Sequence, residues 1–122
     1  MVLEINRDSN TFIYEQLELA LYNKIIKGEL KPGDMIPSVR EVARHNGINP
    51  NTVQKAFAEL IRAGVIFSVA GKGNYISPDA MDIKKDEKAE ILKELRYIAR
   101  RAKISGIWMD ELITVLDSSY NE

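Results

Sequence analysis

The stretch IPSVREVARHNGINPNTVQKAFAELIRAGVIFSVAGKGNYI, residues Ile36 to Ile76, decides the fold. It contains two short helical segments, each opened by a capping residue, then extended apolar residues and a glycine-tipped hairpin. Ser38 with Glu41 three residues on makes a capping box, in which each side chain satisfies one of the helix's orphan amides. The helix it opens spans Val39 to His45 and breaks at Asn46-Gly47. Asn49 caps the next helix, Pro50 suits a first position that needs no N–H, and Gly64 ends it. Val53, Ala56, Phe57, Leu60 and Ile61 form the apolar face of this second helix. Only a few residues separate the two helices, as a helix-turn-helix requires. Val65–Val69 and Asn74–Ser77 read as two short strands around the tip Ala70-Gly71-Lys72-Gly73.

Upstream, Thr11 to Lys27 has helical periodicity, with Ile13, Leu17, Ala20, Leu21 and Ile25 on one apolar stripe. Thr11 is the expected N-cap and Gly28 the stop. Leu19, Tyr22 and Ile26 form a second apolar row, which implies two packing partners for this helix. Lys31-Pro32-Gly33-Asp34 is a turn, with proline pre-setting φ and glycine supplying φ > 0. Downstream, Pro78-Asp79 punctuates the chain. A helix is predicted from Lys84 to Lys103, with Ile91, Leu95, Ile98 and Ala102 at alternating four- and three-residue steps. Ser105-Gly106 interrupts it, and Trp108, Leu112, Val115 and Leu116 mark a last short helix. Two helices of this length cannot bury their apolar faces on each other alone, so they require the first helix or another subunit. The expected fold is mainly α with a small β-hairpin. A winged helix-turn-helix over residues 1–78 precedes two C-terminal helices over residues 79–122 that form a dimerisation element.

Bulk properties narrow the choice. At 122 residues the chain holds one small core and an extension. With no cysteine there are no disulfides, thiolate metal sites or cysteine nucleophile, which fits a reducing cytoplasm. No apolar run is long enough to span a bilayer, and MVLEINRDSN lacks the order of a secretory signal. The net charge of −1 is unusual for a nucleic-acid binder. Residues 1–78 carry nine Lys/Arg against eight Asp/Glu, and residues 79–122 eight against ten. Binding to DNA must therefore depend on where Arg40, Arg44, Lys55 and Lys72 sit, not on the overall field.

On the DNA reading the helix capped by Asn49 lies in the major groove with its N-terminal residues nearest the base edges. Those are Asn49, Pro50, Asn51 and Thr52, then Gln54 and Lys55 one turn on. Asn and Gln suit bidentate contact with adenine, and Thr offers a hydroxyl and a methyl. Arg40, in the first turn of the helix that Ser38 opens, can reach a phosphate or a guanine edge. Free amides at both helix N-termini favour phosphate. Lys72 can enter the minor groove because Gly71 and Gly73 have no side chains to obstruct it. Taken singly these residues have plainer readings. Asn49 alone is a cap, Gln54 and Lys55 are solvated positions, and His45, the one histidine, closes a helix end. The parts carry weight because they occur together in this order.

At this point the segment from Ile13 to Ile76 resembles the N-terminal domain of the GntR family of bacterial transcription regulators. The pieces that carry the resemblance are IYEQL (Ile13–Leu17), GELKPGD (Gly28–Asp34), PSVREVA (Pro37–Ala43), NPNTVQKAF (Asn49–Phe57), EL (Glu59–Leu60), AGVI (Ala63–Ile66) and GKGNYI (Gly71–Ile76). The resemblance implies DNA contacts from Arg40, from Asn51 and Thr52, and from Gly71 and Lys72. Gln54 stands where the family often has arginine, which implies altered base readout there. Most members carry a large C-terminal ligand-binding domain. Residues 79–122 are too few for one, so the chain is similar to the short YtrA-like subgroup, whose two C-terminal helices mediate dimerisation. The resemblance then implies a homodimeric repressor of its own or a transporter operon. Tyr22, Ile91, Leu95, Ile98, Trp108, Leu112 and Leu116 are the expected dimerisation residues. The subgroup often opens its last helix with a small capping residue, where this chain has Trp108.

The expected partners are therefore double-stranded DNA bearing an inverted repeat and a second copy of the chain, with no cofactor and no metal. An unidentified small-molecule effector would have to bind between the C-terminal helices and the DNA domain or at the dimer interface, where Tyr22, Tyr97, Trp108 and Met109 are available to line a pocket. A winged-helix module that binds protein is the alternative, and the near-neutral charge favours it. An enzyme is disfavoured: no Ser/His/Asp or paired-carboxylate arrangement stands out, and GKGN lies on a hairpin instead of before a helix.

Overall fold

The computed structural model describes residues 1–7 and 11–121, which divide into two compact units, Met1–Lys84 and Lys85–Glu122. The first unit begins with helix α1 (Ile13–Ile26), whose buried residues are Leu17, Leu21 and Ile25. It starts later than the sequence suggests. Phe12, not Thr11, takes the N-cap position without a side-chain cap, and its carbonyl accepts from the Glu15 and Gln16 amides at 3.1 Å. The Gln16 side chain instead donates to the Thr11 carbonyl at 3.0 Å, so Thr11 belongs to the segment that α1 holds. In the second apolar row Leu19 and Ile26 are exposed, while Tyr22 is half-buried under the Lys84 ammonium, 3.4 Å from its ring centroid.

The turn at Lys31–Asp34 forms as its residues dictate. The Asp34 amide donates to Lys31 O at 3.0 Å and the Lys31 amide to the Asp34 carboxylate at 2.8 Å, with Gly33 at φ 84°. Strand β1 (Met35–Ile36) follows, in addition to the two strands that the sequence indicates. Two residues are too few to show alternation, and β1 exists because β3 (Gly73–Ile76) pairs with it, Met35 opposite Tyr75 and Ile36 opposite Asn74. With β2 (Ile66–Val69) it completes an antiparallel three-stranded sheet in the order β1-β3-β2.

Helices α2 (Val39–Asn46) and α3 (Pro50–Arg62) pack on each other, α3 also packing on α1 and β2. The inner face of α3 is Val53, Ala56, Phe57 and Leu60, all essentially inaccessible. Ile61 is not part of it: one residue past Leu60 the helix has turned by about 100°, and Ile61 is exposed. The core joins these residues to Leu17, Leu21, Val42, Ile36, Val65, Ile66 and Ile76.

Helix α4 spans Ala80–Ile104 and starts four residues before the predicted Lys84. Its opening turn is held by the core, with Ala80 fully buried and Ile83 packed against the cluster, a tertiary anchor that the seam further on does not reveal. The second unit contains the rest of α4 and α5 (Met109–Tyr120). They are separated by a left-handed glycine, Gly106 at φ 80°, with the Ile107 amide returning to Ala102 O at 3.0 Å. Among described residues of this unit only Ala102 is buried and only Leu112 half-buried.

Candidate nucleic-acid interface

The first unit gathers the residues singled out for DNA at three places: the start of α2, the start of α3 and the tip of the β2–β3 hairpin. Ser38 is the N-cap of α2. Its Oγ accepts from the Glu41 amide at 3.1 Å and donates to Glu41 Oε1 at 3.3 Å, so the serine is engaged in the cap. Arg40, in the first turn of α2, is exposed.

Asn49 is the N-cap of α3, its Oδ1 accepting from the Asn51 amide at 2.8 Å, with Pro50 in the first turn as read. That bond holds the first turn of α3, on which the residues that follow are carried. Asn51, Gln54 and Lys55 are exposed and Thr52 half-buried, opposite the buried face made by Val53, Ala56 and Phe57. At 3.6 residues per turn, 51, 54 and 55 fall on one side of the helix, so a single surface presents two amides and an ammonium.

Tyr14 is a part of this surface that the sequence did not reveal. The Lys55 ammonium lies 4.0 Å from the Tyr14 ring centroid, and Phe12 stacks on Tyr14 with centroids 5.7 Å apart. A cation held over an aromatic face loses rotamer freedom, so α1 orients a lysine of α3. The only signal was the motif IYEQL itself, since the pairing joins two elements far apart in sequence.

At the hairpin tip the Lys72 amide donates to Val69 O at 3.0 Å, closing a turn with Gly71 at φ 74° and Gly73 at φ 137°. A residue with a Cβ would be strained at both positions, and their lack of side chains leaves Lys72 projecting alone and exposed. Phe67 and Tyr75 stack across β2 and β3 with centroids 5.7 Å apart, and stiffen the wing that carries this tip.

The residues expected at a subunit interface lie in both units. Tyr22 is in the first, under Lys84. In the second, Ile91, Leu95, Ile98, Trp108 and Leu116 are exposed and Leu112 half-buried. Trp108 takes the N-cap position of α5 and provides no side-chain cap. His45, read as closing its helix end, has its Nδ1 2.9 Å from the Met1 amine. No helix among the described residues is long and apolar enough to cross a membrane.

The model of the gntR family of bacterial regulatory proteins matches residues 13–76, just over half of the chain and every element from α1 to β3. The chain is 39% identical over 112 residues to the HTH-type transcriptional repressor YtrA of Bacillus subtilis, covering 91% of this chain and 86% of that one. Its fold is similar to YtrA from Sulfolobus acidocaldarius, a GntR-family transcription factor, with a TM-score of 0.63 and 33% identity over 79% of this chain and 99% of that one. It is also similar to the DNA-binding domain of AraR in complex with operator ORX1, with a TM-score of 0.54 and 26% identity over 63% of this chain and 95% of that one. The match runs through both capped helices and the glycine-tipped wing, and the chain belongs to the GntR family of DNA-binding bacterial transcription regulators.

Proposed function

We propose that this chain is a cytoplasmic homodimeric repressor that reads an inverted-repeat operator, one half-site per protomer. The observation that carries this reading is the outward face of α3, where Asn51, Gln54 and Lys55 are exposed beside an α2 whose Arg40 is also exposed. Asn51 and Gln54 read base edges, Arg40 contacts a guanine edge or a phosphate, and Lys55 and Lys72 contact phosphate or the minor groove. Thr52 contributes its hydroxyl, while Ser38 and Asn49 hold the two helix starts.

The dimer reading rests on the second unit, where Ile91, Leu95 and Ile98 recur at four- and three-residue steps and remain exposed. An exposed apolar seam of this period is satisfied by a second identical seam. A two-fold pair would then place its recognition helices about 34–36 Å apart, one turn of DNA. The B. subtilis relative is named a repressor, which supports that sign of regulation here. Its own upstream region or a transporter operon is the target we assign.

The test is fluorescence anisotropy on the DNA upstream of its own gene and on a scrambled duplex, across a salt series. Tight, selective binding whose log K falls with log salt by several ions is expected. Weak binding to both duplexes at all salts, together with tight salt-insensitive binding to a protein partner, would replace the reading with that of a protein-interaction module.

A further inference from the structure

Residues 1–7 lie outside the segment matched by the family model and form an extended arm against the helix-turn-helix. The arm is pinned at two places. On one side the Asn6 backbone is bonded in both directions by the Gln16 side chain of α1, amide to Oε1 at 2.7 Å and Nε2 to carbonyl at 2.9 Å. On the other, the Leu3 amide donates to Asn46 Oδ1 at 2.7 Å, while Asn46 Nδ2 donates to Val42 O at 2.8 Å, and the Leu3 side chain is buried. Asn46 is the last residue of α2, so the arm ties α1 to the end of the first helix of the motif.

Arg7 completes the tie. Its Nη2 donates to Asn46 O at 2.8 Å and to Gly47 O at 2.7 Å. These are carbonyls at the C-terminal end of α2, where the chain leaves the helix through Gly47 at φ 61° and the dipole is negative. One cationic nitrogen bound to two successive carbonyls restrains the peptide planes on both sides of Gly47. A Cβ at Gly47 would stand 3.3 Å from that same nitrogen, a tight contact that the glycine avoids. Two residues on, Asn49 caps α3, so these planes belong to the short turn from which α3 starts.

We propose that Arg7 is a positioning residue for DNA recognition: it locks the α2–α3 turn, so that α3 presents Asn51, Gln54 and Lys55 at the angle that readout requires. The inference rests on the DNA-binding reading above. Arg7 is exposed and the buried face of α3 is made by other residues, so its bonds bear on the turn's freedom more than on the core.

The test uses the full chain and an operator duplex that the wild type selects from a randomised library. Wild type, Arg7→Ala and Arg7→Lys are titrated on it and on a scrambled duplex across a salt series, with thermal melts alongside. Arg7→Ala is expected to weaken operator binding on the order of 3- to 30-fold, the range for residues that modulate a site without touching the ligand. Binding to the scrambled duplex should change less, and the salt slope should stay at the wild-type value. Arg7→Lys, which keeps a charged donor, should recover part of the loss. A salt slope reduced by about one ion would make Arg7 a phosphate contact instead. Unchanged operator affinity, with or without a lower Tm, or an equal loss on both duplexes, would also overturn the positioning role. Failure of the wild type to select any sequence would overturn the DNA-binding reading, and this role with it.

Discussion

At Asn49 the side-chain oxygen accepts from the Asn51 amide and so holds the first turn of α3. Asn49→Ala is expected to lower stability by about 1 kcal/mol, the usual effect of removing a capping side chain, measured as a shift in the thermal or denaturant midpoint. Arg40 is in the opposite situation, exposed on a capped helix that does not need it. Arg40→Ala should leave the melt unchanged and lower operator affinity by about 1–3 kcal/mol, as loss of a guanine contact does; equal affinity at matched salt would remove Arg40 from the interface. The caps were legible because a cap is a local device of three or four residues. The Lys55–Tyr14 pair and the bonds from Arg7 to Asn46 and Gly47 were not, since their partners meet only after the chain has folded back.

Among the elements, the wing shows what local chemistry can and cannot specify. The hairpin was readable from β-branched and aromatic residues around a glycine-lysine-glycine tip, whereas β1 was not, because two residues gain strand geometry only by pairing with β3. That pairing, together with the bond from the Ile76 amide to Asp34 O at 2.9 Å, ties the wing to the turn before α2. The wing is thereby a braced element of the unit. Lys72→Ala at its tip is expected to weaken selected and scrambled duplexes alike and to reduce the salt slope by about one ion, measured by anisotropy at several salt concentrations. A loss confined to the selected operator would mean that Lys72 reads sequence.

For the whole molecule the charge question resolves by placement. A chain of net charge −1 can still bind DNA if its cations are placed where the DNA is, and Arg40, Lys55 and Lys72 lie on exposed positions at the start of α2, on α3 and at the hairpin tip of one unit. In the second unit Ile91, Leu95, Ile98, Ile113 and Leu116 are all exposed, an apolar surface that the proposed second copy would cover. Ile98→Asp, which puts a charge in the centre of that seam, is expected to convert a dimer to a monomer in sedimentation equilibrium. Operator affinity should fall by at least about 100-fold, because the second half-site no longer benefits from tethering. A variant that stays dimeric would place the interface elsewhere.

By itself the sequence determined the two capped helices, the hairpin tip, the proline-glycine turn and the apolar seam of α4, because each follows from backbone propensity or periodicity within a dozen residues. Tertiary structure alone decided where α1 and α4 begin, that Ile61 faces water, that Met35–Ile36 is a strand, that Lys55 of α3 lies over Tyr14, and that Arg7 bonds the turn between α2 and α3. Those features depend on contacts between residues distant in the chain, whose free energy exists only once the core has brought them together.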